Sequence, residues 1–228
     1  MRLEHRQVVR QLRLFERVDD ETFEWIAALG FLQTFPEGTV LHDQGRETDF
    51  FFVVVDGQVE MTIAHNGIEA TVAIFSAGHA FPLGAVVLSE KTPGMARAAS
   101  LARVLMVPAS AIRDSIGKSP SLMRALMEDL AGQNRTFVRE IANQKIRTGS
   151  ERLASWILQH AGAAGIVNRL PFRKRTLASL LGMTAENLSR AFATVEKHGV
   201  LFRGSTFTVV DMDALQALAK PSELIDAA

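Results

Sequence analysis

The chain has 228 residues, 47% hydrophobic and 22% charged, ordinary values for a globular protein of one large or two small domains. It contains no cysteine, which excludes disulfides, thiol catalysis, thiolate zinc sites and cysteine-held iron–sulfur clusters. Formal net charge is zero, yet the balance is −4 over residues 1–144, +7 over 145–205 and −3 from 206 onward, so a neutral total hides one basic region.

That asymmetry is the electrostatic footprint of a nucleic-acid partner; a solvated basic surface is the alternative. No apolar run approaches the ~20 residues of a membrane-spanning helix, so no membrane partner is expected. The N-terminus, MRLEHRQVVRQLRLFERVDD, alternates charged with apolar residues and lacks the apolar stretch of a secretory signal. The expected location is the cytoplasm.

Residues from about 20 to 112 read as mostly β. Short apolar runs lie between Gly, Asp and Asn turn signals: Gly38 to Leu41, Phe50 to Val55, Gln58 to Ala64, Ile68 to Phe75 and Ser100 to Val107. Asp56-Gly57 and Asn66-Gly67 are hairpin signals, because both central residues of such turns need positive φ. Many short strands at this spacing predict a small barrel or jelly roll, with the Phe50-Phe51-Phe52 run and Phe81 as its core.

From 119 to 145 the pattern is helical. Ser119 is placed to cap, with Pro120 in the first turn. Met123, Met127, Leu130, Asn134, Phe137 and Ile141 follow at spacings of 4, 3, 4, 3 and 4, a coiled-coil seam. Asn134 is the one polar member, able to fix register and pairing. The seam predicts a homodimer; an amphipathic helix packed on its own domain is the other reading. Gly132 costs the helix about 1 kcal/mol relative to Ala.

From about 148 onward the chain reads as short helices with tight turns. Ser150 is expected to cap a helix carrying Leu153, Trp156 and Ile157. Thr176 is expected to cap a second, which Gly182 ends, and Thr184 a third running to about Lys197. Val200 to Phe202 and Phe207 to Val210 then flank Arg203-Gly204-Ser205 as a β-hairpin. Helix, glycine turn, helix, hairpin is the order of a winged helix-turn-helix.

Within the third helix Glu186, Ser189 and Arg190 fall at i, i+3 and i+4, on one face. Leu188, Phe192 and Val195 form the opposite apolar stripe. The polar triplet sits near the helix N-terminus, where a recognition helix meets base edges in duplex DNA. Arg190 can donate twice to guanine O6 and N7, Glu186 can accept from cytosine N4, and Ser189 can do either. The plain alternative is an exposed helix with an intrahelical Glu–Arg pair. Lys174 and Arg175, expected just before the first helix of the motif, and Thr184 are the candidate phosphate contacts.

The stretch Leu180-Leu181-Gly182-Met183-Thr184-Ala185-Glu186-Asn187-Leu188-Ser189-Arg190 resembles the helix-turn-helix signature of the Crp/Fnr regulators, and Gly38 through Gly45 and Asp56-Gly57 match that family's sensor pattern. The resemblance implies an α+β fold of three parts. These are a cyclic-nucleotide-binding-like β-roll (a jelly roll) over 1–118, a long dimerisation helix over 119–147 and a winged helix-turn-helix over 148–228. It implies a transcription regulator rather than an enzyme, with double-stranded DNA and RNA polymerase as partners. The Glu-x-x-Ser-Arg form resembles the fumarate–nitrate regulator branch, implying half-sites of the TTGAT type. Ala185 stands where the catabolite activator branch usually has Arg.

The cyclic-AMP-binding members carry Gly-Glu-Leu and then Arg-Ser or Arg-Thr in their phosphate cassette. Here Phe81-Pro82-Leu83-Gly84 puts Leu83 where the ribose-binding Glu belongs, and Thr92-Pro93 aligns with Arg-Ser. Arg97 lies nearby but matches a different family position. Leu83, Gly84 and Arg97 mark the expected effector pocket. Without the cation a cyclic phosphate there would be costly to bury, which disfavours cyclic AMP. Haem, a small organic ligand or no ligand remain. His79, after Gly78, is the haem-ligand candidate; His65 is expected in an exposed turn and His42 at the surface or rim. A reading from another class is a β-barrel ligand-binding or cupin-like protein, although metal cupins cluster His with Glu on their strands and no His-x-His pair occurs.

Overall fold

The strand Phe50–Asp56 sets the plan of the first half of the chain. Its alternate residues Phe51, Val53 and Val55 pack with the turn residue Phe15 and with helical side chains such as Phe23, Ile26 and Ile112. Phe52 and Val54 point the other way, into a second core with Phe35, Phe75, Phe81 and Val104. A strand covered on both faces reads as one apolar run, although its side chains still alternate.

The computed structural model describes residue 1 and residues 3–226. The chain divides into two compact units, Met1–Gln133 and Asn134–Ala228. The first holds α1 (Leu3–Arg10), α2 (Asp20–Leu29), β1 (Phe31–Phe35), β2 (Val40–His42), β3 (Phe50–Asp56), β4 (Val59–His65), β5 (Ile68–Phe75), β6 (Ala80–Phe81), α3 (Leu83–Leu88), β7 (Met95–Ala98), β8 (Ala102–Pro108), α4 (Ala109–Ile116) and the N-terminal part of α5 (Pro120–Ile146). Its strands form two four-stranded antiparallel sheets, ordered β1-β8-β3-β6 and β2-β7-β4-β5. This is the expected β-roll.

Three local expectations are corrected. Residues 20–29 and 109–112, at the two ends of the stretch read as β, are helical, the latter as the start of α4. In α2 the signal is Phe23, Ile26 and Ala27 at helical spacing, behind Asp19, whose carboxylate accepts from the Thr22 amide at 2.8 Å. Asn66-Gly67 does close a hairpin: His65 pairs with Ile68, and both turn residues have positive φ, 50° and 78°. Asp56-Gly57 does not, because β3 pairs with β6 and β8 while β4 pairs with β5 and β7. That turn carries the chain from one sheet to the other. It needs glycine for φ of 79° and for space, since a Cβ there would lie 2.2 Å from the Leu101 carbonyl oxygen.

The second unit holds the rest of α5, then α6 (Gly149–His160), β9 (Val167–Arg169), α7 (Lys174–Leu180), α8 (Ala185–Glu196), β10 (Val200–Arg203), β11 (Thr206–Val209), α9 (Met212–Ala219) and α10 (Glu223–Asp226). Leu153, Ile157, Leu177, Val195, Val200 and Leu215 are fully buried in its core. The hairpin β10–β11 is joined by β9 into a three-stranded sheet, ordered β10-β11-β9. Two caps differ from expectation. Thr148, not Ser150, caps α6, in a reciprocal capping box with Glu151. Helix α7 starts at Lys174 without a side-chain cap, two residues before Thr176. Lys174 and Arg175 therefore form its first turn. Ser119 caps α5 as expected, accepting from the Leu122 amide at 3.2 Å.

Candidate nucleic-acid interface

The turn between α7 and α8 places the recognition residues. Gly182 takes φ of 62°, and a Cβ there would meet Gln144 Cδ at 3.0 Å. The Met183 amide donates back to the Ala178 carbonyl at 2.9 Å, closing the end of α7. Thr184 Oγ1 then accepts from the Asn187 amide at 3.2 Å and caps α8. Leu188, Ala191, Phe192 and Val195 face the core. The opposite face, with Glu186, Ser189 and Arg190, is exposed.

The three exposed side chains are not equally free. Ser189 Oγ donates to the Ala185 carbonyl at 3.0 Å. Arg190 Nη2 donates to Asn187 Oδ1, so Asn187, rather than Glu186, holds the guanidinium. Asn187 was not singled out from the sequence, although its i, i+3 spacing from Arg190 was there to be read. Backbone hydrogen bonding, the Thr184 hydroxyl and the Arg190 charge hold the Glu186 carboxyl below the ordinary range. It remains an anion, able to accept but not to donate.

Lys174 and Arg175 are exposed on the first turn of α7, and the Lys174 ammonium lies 5.0 Å from the centre of the Phe192 ring. That contact ties a cation of α7 to the core side of α8. On α5, Met123, Met127 and Leu130 in the first unit are exposed, as are Asn134, Phe137 and Ile141 in the second.

The expected effector residues are not brought together. Leu83 is buried in the core shared with the helices, and Gly84 is exposed with open space where a Cβ would stand. Arg97 donates to Glu60 Oε1 through Nε at 2.9 Å and Nη2 at 2.5 Å, and to Glu69 at 3.4 Å. Those carboxylates raise its pKa and occupy the cation. Thr92 is buried, its hydroxyl donating to the carbonyls of Asp43 and Arg46 at 2.9 and 3.2 Å. His79 is exposed, with Nδ1 3.1 Å from the Ser76 carbonyl oxygen of its own turn. The stacked Phe52, Phe75 and Phe81 rings, with centres 5.3 and 4.8 Å apart, fill the space between the sheets. A haem does not fit there. Among the described residues no group of three or more His, Asp or Glu is placed to hold a metal ion, and no helix is long and apolar enough to cross a membrane.

His42 is corrected from a rim residue to an interior one. It is 9% exposed, its ring 6.1 Å from that of Phe52 and 6.2 Å from that of Phe81. Neither ring nitrogen has a well-formed hydrogen bond. Burial lowers its pKa from the ordinary 6.5, opposed by the backbone and charge of Asp43. The folded protein thus holds His42 neutral, whereas the unfolded chain takes up a proton below about pH 6.5. Stability from this site is full above that pH and is lost as pH falls. His42→Phe removes two buried ring nitrogens that lack a well-formed hydrogen bond, and leaving a buried polar group unsatisfied costs about 1–3 kcal/mol. The variant is expected to melt at or above the wild-type temperature at about pH 7.5, with its advantage widening toward about pH 5.5. Melting curves across that range test this; a narrowing gap would mean the interior accommodates the imidazolium.

Comparison with known proteins gives a consistent result. The Crp-like helix-turn-helix domain matches residues 151–218, and the cyclic nucleotide-binding domain matches residues 32–119. The fumarate and nitrate reduction regulatory protein of Salmonella typhi is 27% identical over 191 residues, covering 80% of this chain and 76% of that protein. Its counterpart from Escherichia coli K12 is 26% identical over the same shares. FixK2 from Bradyrhizobium japonicum has a similar fold, with a TM-score of 0.71 at 21% identity over 87% of this chain and 98% of that one. So does the c-di-GMP responsive global regulator CLP from Xanthomonas campestris, with a TM-score of 0.72 at 15% identity over 84% and 99%.

Proposed function

The chain belongs to the Crp/Fnr family of DNA-binding transcription regulators, and from that premise we propose that it acts in the cytoplasm as a homodimer on an inverted repeat of TTGAT-like half-sites. The observation that carries this reading is the exposed Glu186, Ser189 and Arg190 face at the capped N-terminus of α8. Arg190 reads guanine, Glu186 reads the cytosine amine and Ser189 supports them. Lys174, Arg175 and Thr184 contact phosphate at the flanks. The α5 seam from Met123 to Ile141 joins two copies, and the two-fold axis puts half-site centres about 10–10.5 bp apart. RNA polymerase is the further partner.

Residues 1–118 serve as the sensor, 119–147 as the dimer helix and 148–228 as the DNA-binding part. The effector is unidentified. It is neither cyclic AMP nor an iron–sulfur cluster: Leu83 and Thr92 supply no ribose acceptor or phosphate cation, Arg97 is held by Glu60, and the chain has no cysteine.

Selection of bound duplexes from a random pool tests the proposal. The expected consensus is an inverted repeat with TTGAT-like arms. A consensus without two-fold symmetry would overturn the dimer, and GTG-type arms would overturn the assignment of Glu186, Ser189 and Arg190.

A further inference from the structure

Arg147 lies just after α5 and just before α6, and its side chain is only 6% exposed. A guanidinium cannot shed its charge, so burial demands partners on every side. Its main partner comes from far along the chain. Nη1 and Nη2 donate to the two carboxylate oxygens of Asp226 in α10, at 2.7 and 2.5 Å, a planar fork-to-fork pair. Asn143 of α5, Ser155 of α6 and the Lys220 carbonyl take its remaining bonds, at 3.2, 3.1 and 3.1 Å.

Asp226 is equally committed. It accepts from Ser155 Oγ at 2.6 Å and from the Ser222 amide at 2.7 Å, and the Arg147 guanidinium, with these two donors adding to it, holds its carboxyl far below the ordinary range. Lys220, in the left-handed conformation with φ of 48°, ends α9 and turns the chain toward α10. Its ammonium donates to Glu151, the partner of Thr148 in the capping box of α6, at 2.7 Å. The segment 220–226 thus touches Arg147, the residue that follows α5, and Glu151 and Ser155 of α6.

We propose that residues 220–226 are a strap that fixes the angle at which α6 leaves α5, and thereby the operator spacing the protein accepts. This rests on the reading of the chain as a dimer on an inverted repeat. Without the strap, the two helices are joined by residues 147 and 148, by the bonds of Arg147 to Asn143 and Ser155, and by Arg152 Nη1, which donates to the Gln144 and Arg147 carbonyls at 3.2 and 2.7 Å. With it, a charge-paired cluster locks both helices to a third element. A locked angle sets one distance between two recognition helices; a loose angle admits several.

The test uses the full chain carrying Asp226→Asn, which keeps the shape of the side chain and removes its charge. One measurement is binding to operators whose spacer is optimal or changed by one or two base pairs, and to a single half-site. The wild type is expected to discriminate strongly among spacers. The variant is expected to bind the optimal repeat about tenfold more weakly while losing most of that discrimination, with half-site affinity unchanged. The second measurement needs no DNA. Amides of residues 143–152 should exchange faster in the variant while those of the buried core around Leu177 and Val195 keep their protection. Ser155→Ala, which removes one hydroxyl from the cluster and no charge, should give a smaller change in the same direction. Unchanged exchange at 143–152, or an equal loss on every spacer and on the half-site, would overturn the strap. Failure of the wild type to prefer an inverted repeat, with faster exchange still seen in the variant, would overturn the DNA reading and the spacing role but leave the mechanical clamp.

Discussion

Asp substituted at Leu130 and Phe137 is expected to turn a dimer into a monomer at micromolar concentration. Both side chains are exposed in the single chain, at 48% and 36%, as are Met127 at 64% and Ile141 at 53%. Burying one such side chain contributes about 1.5–3 kcal/mol. Two-fold pairing buries each residue twice, so truncating two positions removes four contributions. The substitution also places four carboxylates at the seam, where desolvation and like charge oppose pairing. Asn134 gives a graded control. Asn134→Val should tighten association while weakening its register, because a lone polar seam residue trades stability for specificity. Sedimentation velocity reads the mass directly, and a melting temperature independent of protein concentration would mark the loss of linkage to dimerisation. A wild type already monomeric at micromolar concentration, or a double variant that stays dimeric, would show that α5 is not the dimer interface.

How much of this was legible in the sequence follows from the range of each interaction. The α7–turn–α8 motif is local. Gly182 supplies the left-handed turn, Thr184 caps three residues ahead, and Leu188, Phe192 and Val195 mark the buried face at helical spacing. All of these signals lie within about sixteen residues, and each acts on its own neighbours. The Asn66-Gly67 hairpin was readable for the same reason. Asp56-Gly57 has the same turn chemistry, but whether a turn joins paired strands or crosses between sheets depends on which strands arrive later. Short β9 has three residues and no periodicity to read; it exists because β11 offers it an edge. His42 precedes a glycine turn and reads as a surface or rim residue, yet Phe52 and Phe81 fold over it from later strands. The Arg147–Asp226 pair spans 79 positions and left no pattern at either end.

The sharpest expected result concerns Arg190. Arg190→Ala should cost about 1–3 kcal/mol per half-site and relax the preference for guanine at one position in each arm. A dimer reads both arms, so the loss over a full operator is about 2–6 kcal/mol, from roughly 30-fold to more than 10⁴-fold in affinity. The hydrogen bond from Arg190 to Asn187 sharpens the case, because a guanidinium already oriented loses less freedom on binding. Asn187→Ala should therefore weaken binding in the same base-selective pattern, by less. Glu186→Ala should relax preference on the paired strand with a smaller loss, since its anion is itself repelled by phosphate. Lys174 and Arg175 predict the opposite pattern. Each, replaced by Ala, should weaken all sequences alike and reduce the slope of log affinity against log salt by about one. Lys174→Ala also removes the contact with Phe192, so its melting temperature must be measured beside its binding. Binding of each variant to single-base operator variants at several salt concentrations separates the two classes. Base-selective losses from Lys174→Ala together with uniform losses from Arg190→Ala would put α7, not α8, in the groove.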